Sequence, residues 1–174
     1  MNTKAKLIIF LLLSPLFFLT GCKPVFTFNG SILNYDIYKT IYVSEFPIRA
    51  SLVYPPLQQT FENEILNYVT RQTKLQVSDN PNNADINLSG EITGYSLSPQ
   101  AVGTDAYATE TRLTISVRVK YTDNQNSANN IDQTFSAYRQ FSSSLMLTDV
   151  QDELCQQISE ELATLIFNAT LGNW

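Results

Sequence analysis

Thr111-Arg112-Leu113-Thr114-Ile115-Ser116-Val117-Arg118-Val119-Lys120-Tyr121 alternates without a break. Successive side chains of a strand face opposite sides, so Leu113, Ile115, Val117, Val119 and Tyr121 share one face and Arg112, Thr114, Ser116, Arg118 and Lys120 the other. That pattern is a strand with one side in a core and one in water, which is the signature of a sheet covered on a single face. Downstream, Asp123 to Asn130 is polar turn sequence, and Ile131 to Phe141 returns as the antiparallel partner, with Ile131, Phe135 and Phe141 packing. Upstream, past the small, polar stretch 102–109, the run from Ala84 to Pro99 alternates through Ile86, Leu88, Ile92 and Leu97 behind the turn Asp79-Asn80-Pro81-Asn82-Asn83. Gly90 and Gly94 within it mark a bulge, a bend or the close approach of a neighbour.

Two helical stripes must cover this sheet. Val150, Leu154, Ile158, Leu162, Leu165/Ile166 and Ala169 recur at helical spacing along the C-terminal segment, which Gly172 stops and which Thr148 with Gln151 is expected to open as a capping box. Leu57, Phe61, Ile65 and Tyr68/Val69 form the second stripe, with Pro56 in the first turn, where a missing N–H costs nothing. Before it, Thr40 to Phe46 is β-branched and aromatic and Pro47 ends it as a strand. The element order β-α-β-β-β-α predicts an α+β fold, with two helices packed on one face of a mixed or antiparallel sheet of about four strands.

The 174-residue chain begins with Lys4 and Lys6, an apolar run from Leu7 to Leu19, and the small residues Thr20 and Gly21, the three parts of an export signal. The run is about 13 residues long, short of the roughly 20 apolar residues a spanning helix needs. Leu19-Thr20-Gly21-Cys22 resembles a lipobox, which implies cleavage before Cys22 and acyl chains on its thiol. Two or three such chains anchor permanently, where one anchors marginally. The expected organisation is a lipoprotein signal peptide over 1–21, a lipidated tether over 22–38 and one α+β domain over 39–174. Lys23 follows the cysteine, with neither an Asp nor an acidic run behind it, so the sorting rules that the lipobox brings with it imply the periplasmic face of the outer membrane. Lipidation leaves Cys155 alone and excludes an internal disulfide; in a helical stripe it reads as a small buried hydrophobe.

Sixteen acidic residues face eleven basic ones, and removal of Lys4 and Lys6 with the signal leaves nine, a net charge of about −7 on the mature chain. Nucleic acid is disfavoured as a partner by that balance. The chain has no histidine, which removes the commonest general base and metal ligand and every Ser-His or Cys-His arrangement. Glu62/Glu64 and Glu160/Glu161 do not converge on one reacting atom, and no phosphate-binding glycine loop or calcium loop is present. No enzyme, no metal and no cofactor beyond the acyl chains are expected. What remains is a basic constellation: Arg112, Arg118 and Lys120 on the wet face of the long strand, and Arg139 on its neighbour. Guanidinium groups pair bidentately with phosphate or carboxylate, so these four are the candidate anion contacts.

The lipobox, Phe46-Pro47, Pro56-Leu57, Thr60-Phe61, Gly90-Glu91-Ile92-Thr93-Gly94-Tyr95, Arg112-Leu113-Thr114-Ile115-Ser116-Val117, Ile166-Phe167-Asn168 and the terminal Asn173-Trp174 together resemble the lipopolysaccharide-assembly (LptE-like) lipoprotein family. The likeness spans nearly all of the mature chain. It implies an outer-membrane lipoprotein that plugs a large LptD-like β-barrel, the lipopolysaccharide translocon, helps it assemble, and assists delivery of lipopolysaccharide to the outer leaflet. Location would be lipid-anchored, on the periplasmic side and in the barrel lumen. The competing expectation is a stand-alone binding lipoprotein facing the periplasm, such as an activator of a cell-wall synthase.

Overall fold

A computed structural model describes residues 33–52, 54–101 and 108–172; Cys22, its lipobox and most of the expected tether lie outside the described residues. In chain order the elements are β1 (Thr40–Val43), α1 (Pro56–Gln72), β2 (Gln76–Val77), β3 (Ile86–Ala101), β4 (Ala108–Asp123), β5 (Ile131–Ser142) and α2 (Leu147–Thr170), with single 3-10 turns at Pro81–Asn83 and Ser127–Asn129. The fold is α+β, as the patterning requires, and the sheet is mixed.

Strand order across the sheet is β2-β1-β3-β4-β5. β1 runs parallel to β2 and to β3, while β3-β4-β5 is an antiparallel meander. The fifth strand, β2, is a correction to the count of four: it is two residues long and exposed on both positions, so it carries no alternation to read. Its place is held by backbone bonds, with Gln76 N–H donating to Lys39 O (2.8 Å) and Ser78 N–H to Ile41 O (2.8 Å). β1 also ends earlier than Phe46. The chain leaves the ladder after Val43 and re-engages beside β3, with Ile92 N–H donating to Pro47 O (3.0 Å) and Arg49 N–H to Ile92 O (2.8 Å). Between these points the Phe46 N–H donates to Glu62 Oε1 of α1 (2.7 Å) and its ring enters the core edge-on to Phe61, centroids 5.1 Å apart.

Leu113, Ile115, Val117, Val119 and Tyr121 are all fully buried, and they share one core with Leu57, Phe61, Ile65 and Val69 of α1 and Leu154, Ile158, Leu162 and Ile166 of α2. Each such aliphatic or aromatic side chain contributes roughly 1.5–3 kcal/mol relative to an exposed one, so the two stripes hold the helices on this face. The packed chain reaches back to residue 33, because Leu33 and Tyr38 belong to the same core. α1 and α2 run side by side in the same direction: Tyr54 OH meets Asp152, Gln156 Nε2 meets Glu64 Oε1 (2.9 Å), and the Tyr68 ring packs tilted against Phe167, centroids 5.1 Å apart.

The expected capping box is absent. α2 starts at Leu147 with Met146 at its N-cap, so Thr148 already lies inside the first turn, where its hydroxyl donates to Asp149 Oδ1. Gln151 instead donates to Tyr95 OH (2.6 Å). Both glycines of β3 have structural work. The register shifts between Ile92 and Gly94, a bulge that leaves Thr93 without its own partner, and Gly90 lets the β4 backbone and the Phe46 ring approach closely.

Where β1 enters the sheet, Asp85 Oδ2 accepts from Lys39 N (2.8 Å), Thr40 N (3.0 Å) and Thr40 Oγ1 (3.0 Å), and Oδ1 accepts from Gln125 Nε2 (2.9 Å). Burial pushes this carboxyl upward, yet the donated bonds, led by Lys39 N–H, outweigh it and hold the pKa below the ordinary 3.8. The folded state therefore takes up this proton less readily than the unfolded chain. The stability it contributes is complete above the ordinary carboxylate value and is lost as pH falls through the lowered one. Asp85→Asn is expected to flatten the acid limb of a stability-against-pH curve below about pH 4. A limb of unchanged steepness in urea titrations would remove Asp85 from this role.

Candidate functional site

The face of the sheet away from the helices has no covering element among the described residues. β3 presents Ser89, Glu91, Ser96 and Ser98 there, β4 presents Arg112, Thr114, Ser116, Arg118 and Lys120, and β5 presents Asp132, Thr134, Ser136, Tyr138 and Gln140. Hydroxyls fill the middle, where Ser116 and Ser136 share a hydrogen bond (2.7 Å). Charges gather towards the ends. The face is wet, hydrogen-bonding and nearly free of aliphatic side chains, which suits contact with a polar surface rather than a lipid core.

Arg118 pairs bidentately with Asp132, Nε to Oδ1 at 2.8 Å and Nη2 to Oδ2 at 2.9 Å. The hydrogen bonds from Arg118 lower the Asp132 pKa and raise that of Arg118, and Lys120, directly opposite Asp132 in the ladder, lowers the Asp132 value further. Glu91 lies across from Arg118 on β3. With Glu45 these groups line a shallow cavity of about 520 Å³. The cavity is therefore a mixed-charge dish, and only Lys120 offers a cation there without a hydrogen-bonded carboxylate.

Arg112 lies six residues from Arg118 along β4, about 20 Å at strand rise. Its guanidinium sits 4.2 Å from the centroid of the Tyr138 ring, and its Nε is buried with no hydrogen-bond partner. Stacking holds the group flat and preorganised, a geometry suited to bidentate pairing with an anion. Arg139 does not join these residues. It stands opposite Leu113, so it projects from the helix-covered face, where it pairs with Glu161 and donates to the Gln157 carbonyl (3.3 Å) of α2. The four candidate cations thus divide into a stacked Arg112, a neutralised Arg118 beside Lys120, and an Arg139 that ties β5 to α2. Sequence reasoning missed Asp132 and Tyr138, which the hairpin register places beside Arg118 and Arg112.

Cys22, the expected lipid attachment point, lies outside the described residues. Cys155 is buried, and burial pushes its thiol up to about 11, so it stays protonated and unreactive at neutral pH. Among the described residues no group of Cys, Asp and Glu is placed to hold a metal ion, and no helix is long and apolar enough to cross a membrane.

The class that these features define is a two-layer α+β domain that presents an open polar sheet face. The chain belongs to the lipopolysaccharide-assembly (LptE) family of lipoproteins, whose sequence profile matches residues 38–170. No curated protein sequence matches it. Among solved structures it is similar to a hypothetical protein from Chlamydia trachomatis, with 14% identity, a TM-score of 0.54 and coverage of 78% of this chain and 99% of that one. It is also similar to rare lipoprotein B from Shewanella oneidensis (13% identity, TM-score 0.48, 74% and 92% covered) and to a minor lipoprotein from Acinetobacter baumannii (18%, 0.48, 75% and 90%). At 14% identity the likeness to the Chlamydia trachomatis protein speaks to the fold alone.

Proposed function

We propose that this protein is a lipid-anchored subunit of the outer membrane that sits within a large LptD-like β-barrel, helps it assemble, and assists delivery of lipopolysaccharide to the outer leaflet. The observation that carries this reading is the family match over residues 38–170, which spans every described strand and helix. The uncovered Ser/Thr-rich sheet face supports it, because a wet barrel wall offers the hydrogen bonds such a face would otherwise take from water. Acyl chains on Cys22 would hold the domain at the membrane, since no described helix crosses it.

Two measurements test it. A tagged chain extracted gently from native membranes is expected to bring down a large barrel in near-equal amount, identified by mass spectrometry. Recovery without any barrel, or with a wall synthase instead, defeats the proposal. Intact-mass analysis of the mature chain is expected to show acyl chains on Cys22, and a chain without them, or one that still starts at Met1, removes the anchor. For the anion contact, Arg112 and Lys120 are the cations on the open face that no carboxylate hydrogen-bonds. Arg112→Glu with Lys120→Glu is expected to weaken lipopolysaccharide binding by about tenfold or more, the scale of one lost charge-assisted hydrogen bond. Undiminished binding with an intact fold assigns the contact elsewhere.

A further inference from the structure

The end of the domain where the chain enters β1 differs in charge from the acidic chain as a whole. Lys39, Arg71 and Lys74 gather there, and all three are exposed. Lys39 and Lys74 line one cavity of about 300 Å³ together with Tyr35, Tyr38 and Gln76. Lys74 Nζ sits 5.6 Å from the centroid of the Tyr35 ring. Arg71 lies in the last turn of α1, where the helix dipole favours cations. No carboxylate among the described residues pairs with any of the three. Against them stands Asp36, exposed in the turn that carries Tyr35. Asp85, which holds the Lys39 N–H, is taken up by its donated bonds.

The same turn lifts an aliphatic side chain into solvent, because Ile37, between Tyr35 and Lys39, is 51% exposed. Lysines and an arginine around an exposed aliphatic side chain and a part-exposed ring make a surface suited to the head-group layer of a membrane. Carbon stems and rings lie in the interface there, and the cations reach phosphates.

The tether decides which surface this end meets. Leu33, which opens the turn, belongs to the core, and it follows Cys22 by eleven residues, a span of at most about 40 Å. Acyl chains on Cys22 would therefore hold this end closest to the bilayer, with Lys23 as a further cation at the point of attachment. Near an anionic surface each basic side chain adds roughly fivefold to binding. That is weak for a free protein, but ample for a patch that never strays beyond the reach of its tether.

We propose that this end of the domain docks on the anionic phospholipid head groups of the bilayer that carries the anchor, with Lys39, Arg71 and Lys74 on phosphates and Ile37 in the interface. The inference rests on the acyl anchor of the proposed function and adds an orientation to it. The start of α2 and Arg112 are turned away from the membrane surface.

The test uses the mature acylated chain in two kinds of vesicle, one of phosphatidylethanolamine and phosphatidylglycerol, the other of phosphatidylcholine alone. Ile37→Cys carries an environment-sensitive fluorophore, which buried Cys155 does not take up. Spin-labelled lipids are expected to quench it about threefold more strongly in the anionic vesicles, and high salt to remove the difference. A fluorophore at Leu145→Cys, 48% exposed just before the 24-residue α2 and so about 36 Å away, is expected to stay unquenched in both. Lys39→Glu with Lys74→Glu is expected to abolish the lipid dependence at position 37, while the chain still floats with the vesicles and its melting temperature is unchanged. Equal quenching in both kinds of vesicle overturns the proposal. So does an undiminished signal in the double variant, or a signal that appears only when the barrel is present. A chain that floats with neither kind of vesicle defeats the anchor and this inference with it, whereas one that floats without lipid-dependent quenching defeats this inference alone.

Discussion

Gly90→Ala is expected to destabilise the protein by about 3 kcal/mol or more, the upper range for overpacking a core. In a chain of this size that lowers the melting temperature by roughly 10 °C. A Cβ at position 90 would stand 2.1 Å from the Arg118 carbonyl oxygen and 2.7 Å from Phe46 Cε1. The first contact is backbone, fixed by the longest ladder in the sheet, and cannot yield without separating β3 from β4. The second is a ring wedged against Phe61. Gly94→Ala is the control, because the three atoms nearest its Cβ all belong to Ser116, the closest being the side-chain Cβ at 3.0 Å. Thermal unfolding by circular dichroism should rank Gly90→Ala far below Gly94→Ala; equal losses would mean that the effect is generic to glycine in a strand.

Asp123→Ala is expected to cost about 3 kcal/mol, the scale for stranding several buried donors on a lost charged acceptor. Asp123 is 2% exposed. Its Oδ2 accepts from Tyr38 OH (2.8 Å) and Asn129 Nδ2 (2.8 Å), and its Oδ1 from the backbone N–H of Gln125 (2.8 Å) and Asn126 (2.9 Å). One carboxylate thus joins the entry to β1, the end of β4 and the turn into β5. Asp123→Asn retains one oxygen as an acceptor and should recover part of the loss. Urea midpoints of the two variants decide it, and an alanine variant as stable as the parent would mean that water replaces the carboxylate at no cost.

The fold was legible in the sequence wherever one side of an element is buried and the other wet. β4 and α2 are such elements, and their apolar stripes alone determine which faces meet. β2 was not legible, because its two side chains are exposed and its membership rests on backbone bonds to β1. Nor was the early end of β1: Phe46 has the composition of a strand residue, but its N–H is taken by Glu62, from a helix sixteen residues on. The inward placement of Arg139 was readable by parity, since it shares odd numbering with Ile131, Phe135 and Phe141. What the sequence did not carry was the acceptor set on α2 that makes an inward arginine tolerable. The candidate anion contact was half legible. The cations stood out, while the carboxylate on Arg118 and the ring under Arg112 depend on hairpin register.

The shared direction of α1 and α2 has an electrical consequence. Each helix carries roughly half a positive charge at its start and half a negative one at its end, and side by side in the same sense these add instead of cancelling. Their starts lie at the end of the sheet where Arg112 stacks on Tyr138, and their finishes lie where the chain enters β1, with Lys74 over the Tyr35 ring at 5.6 Å. Although acidic overall, the molecule is thus a small oriented electret, and a phosphorylated sugar approaching it would meet the more welcoming pole at the tip farthest from where the chain enters the sheet.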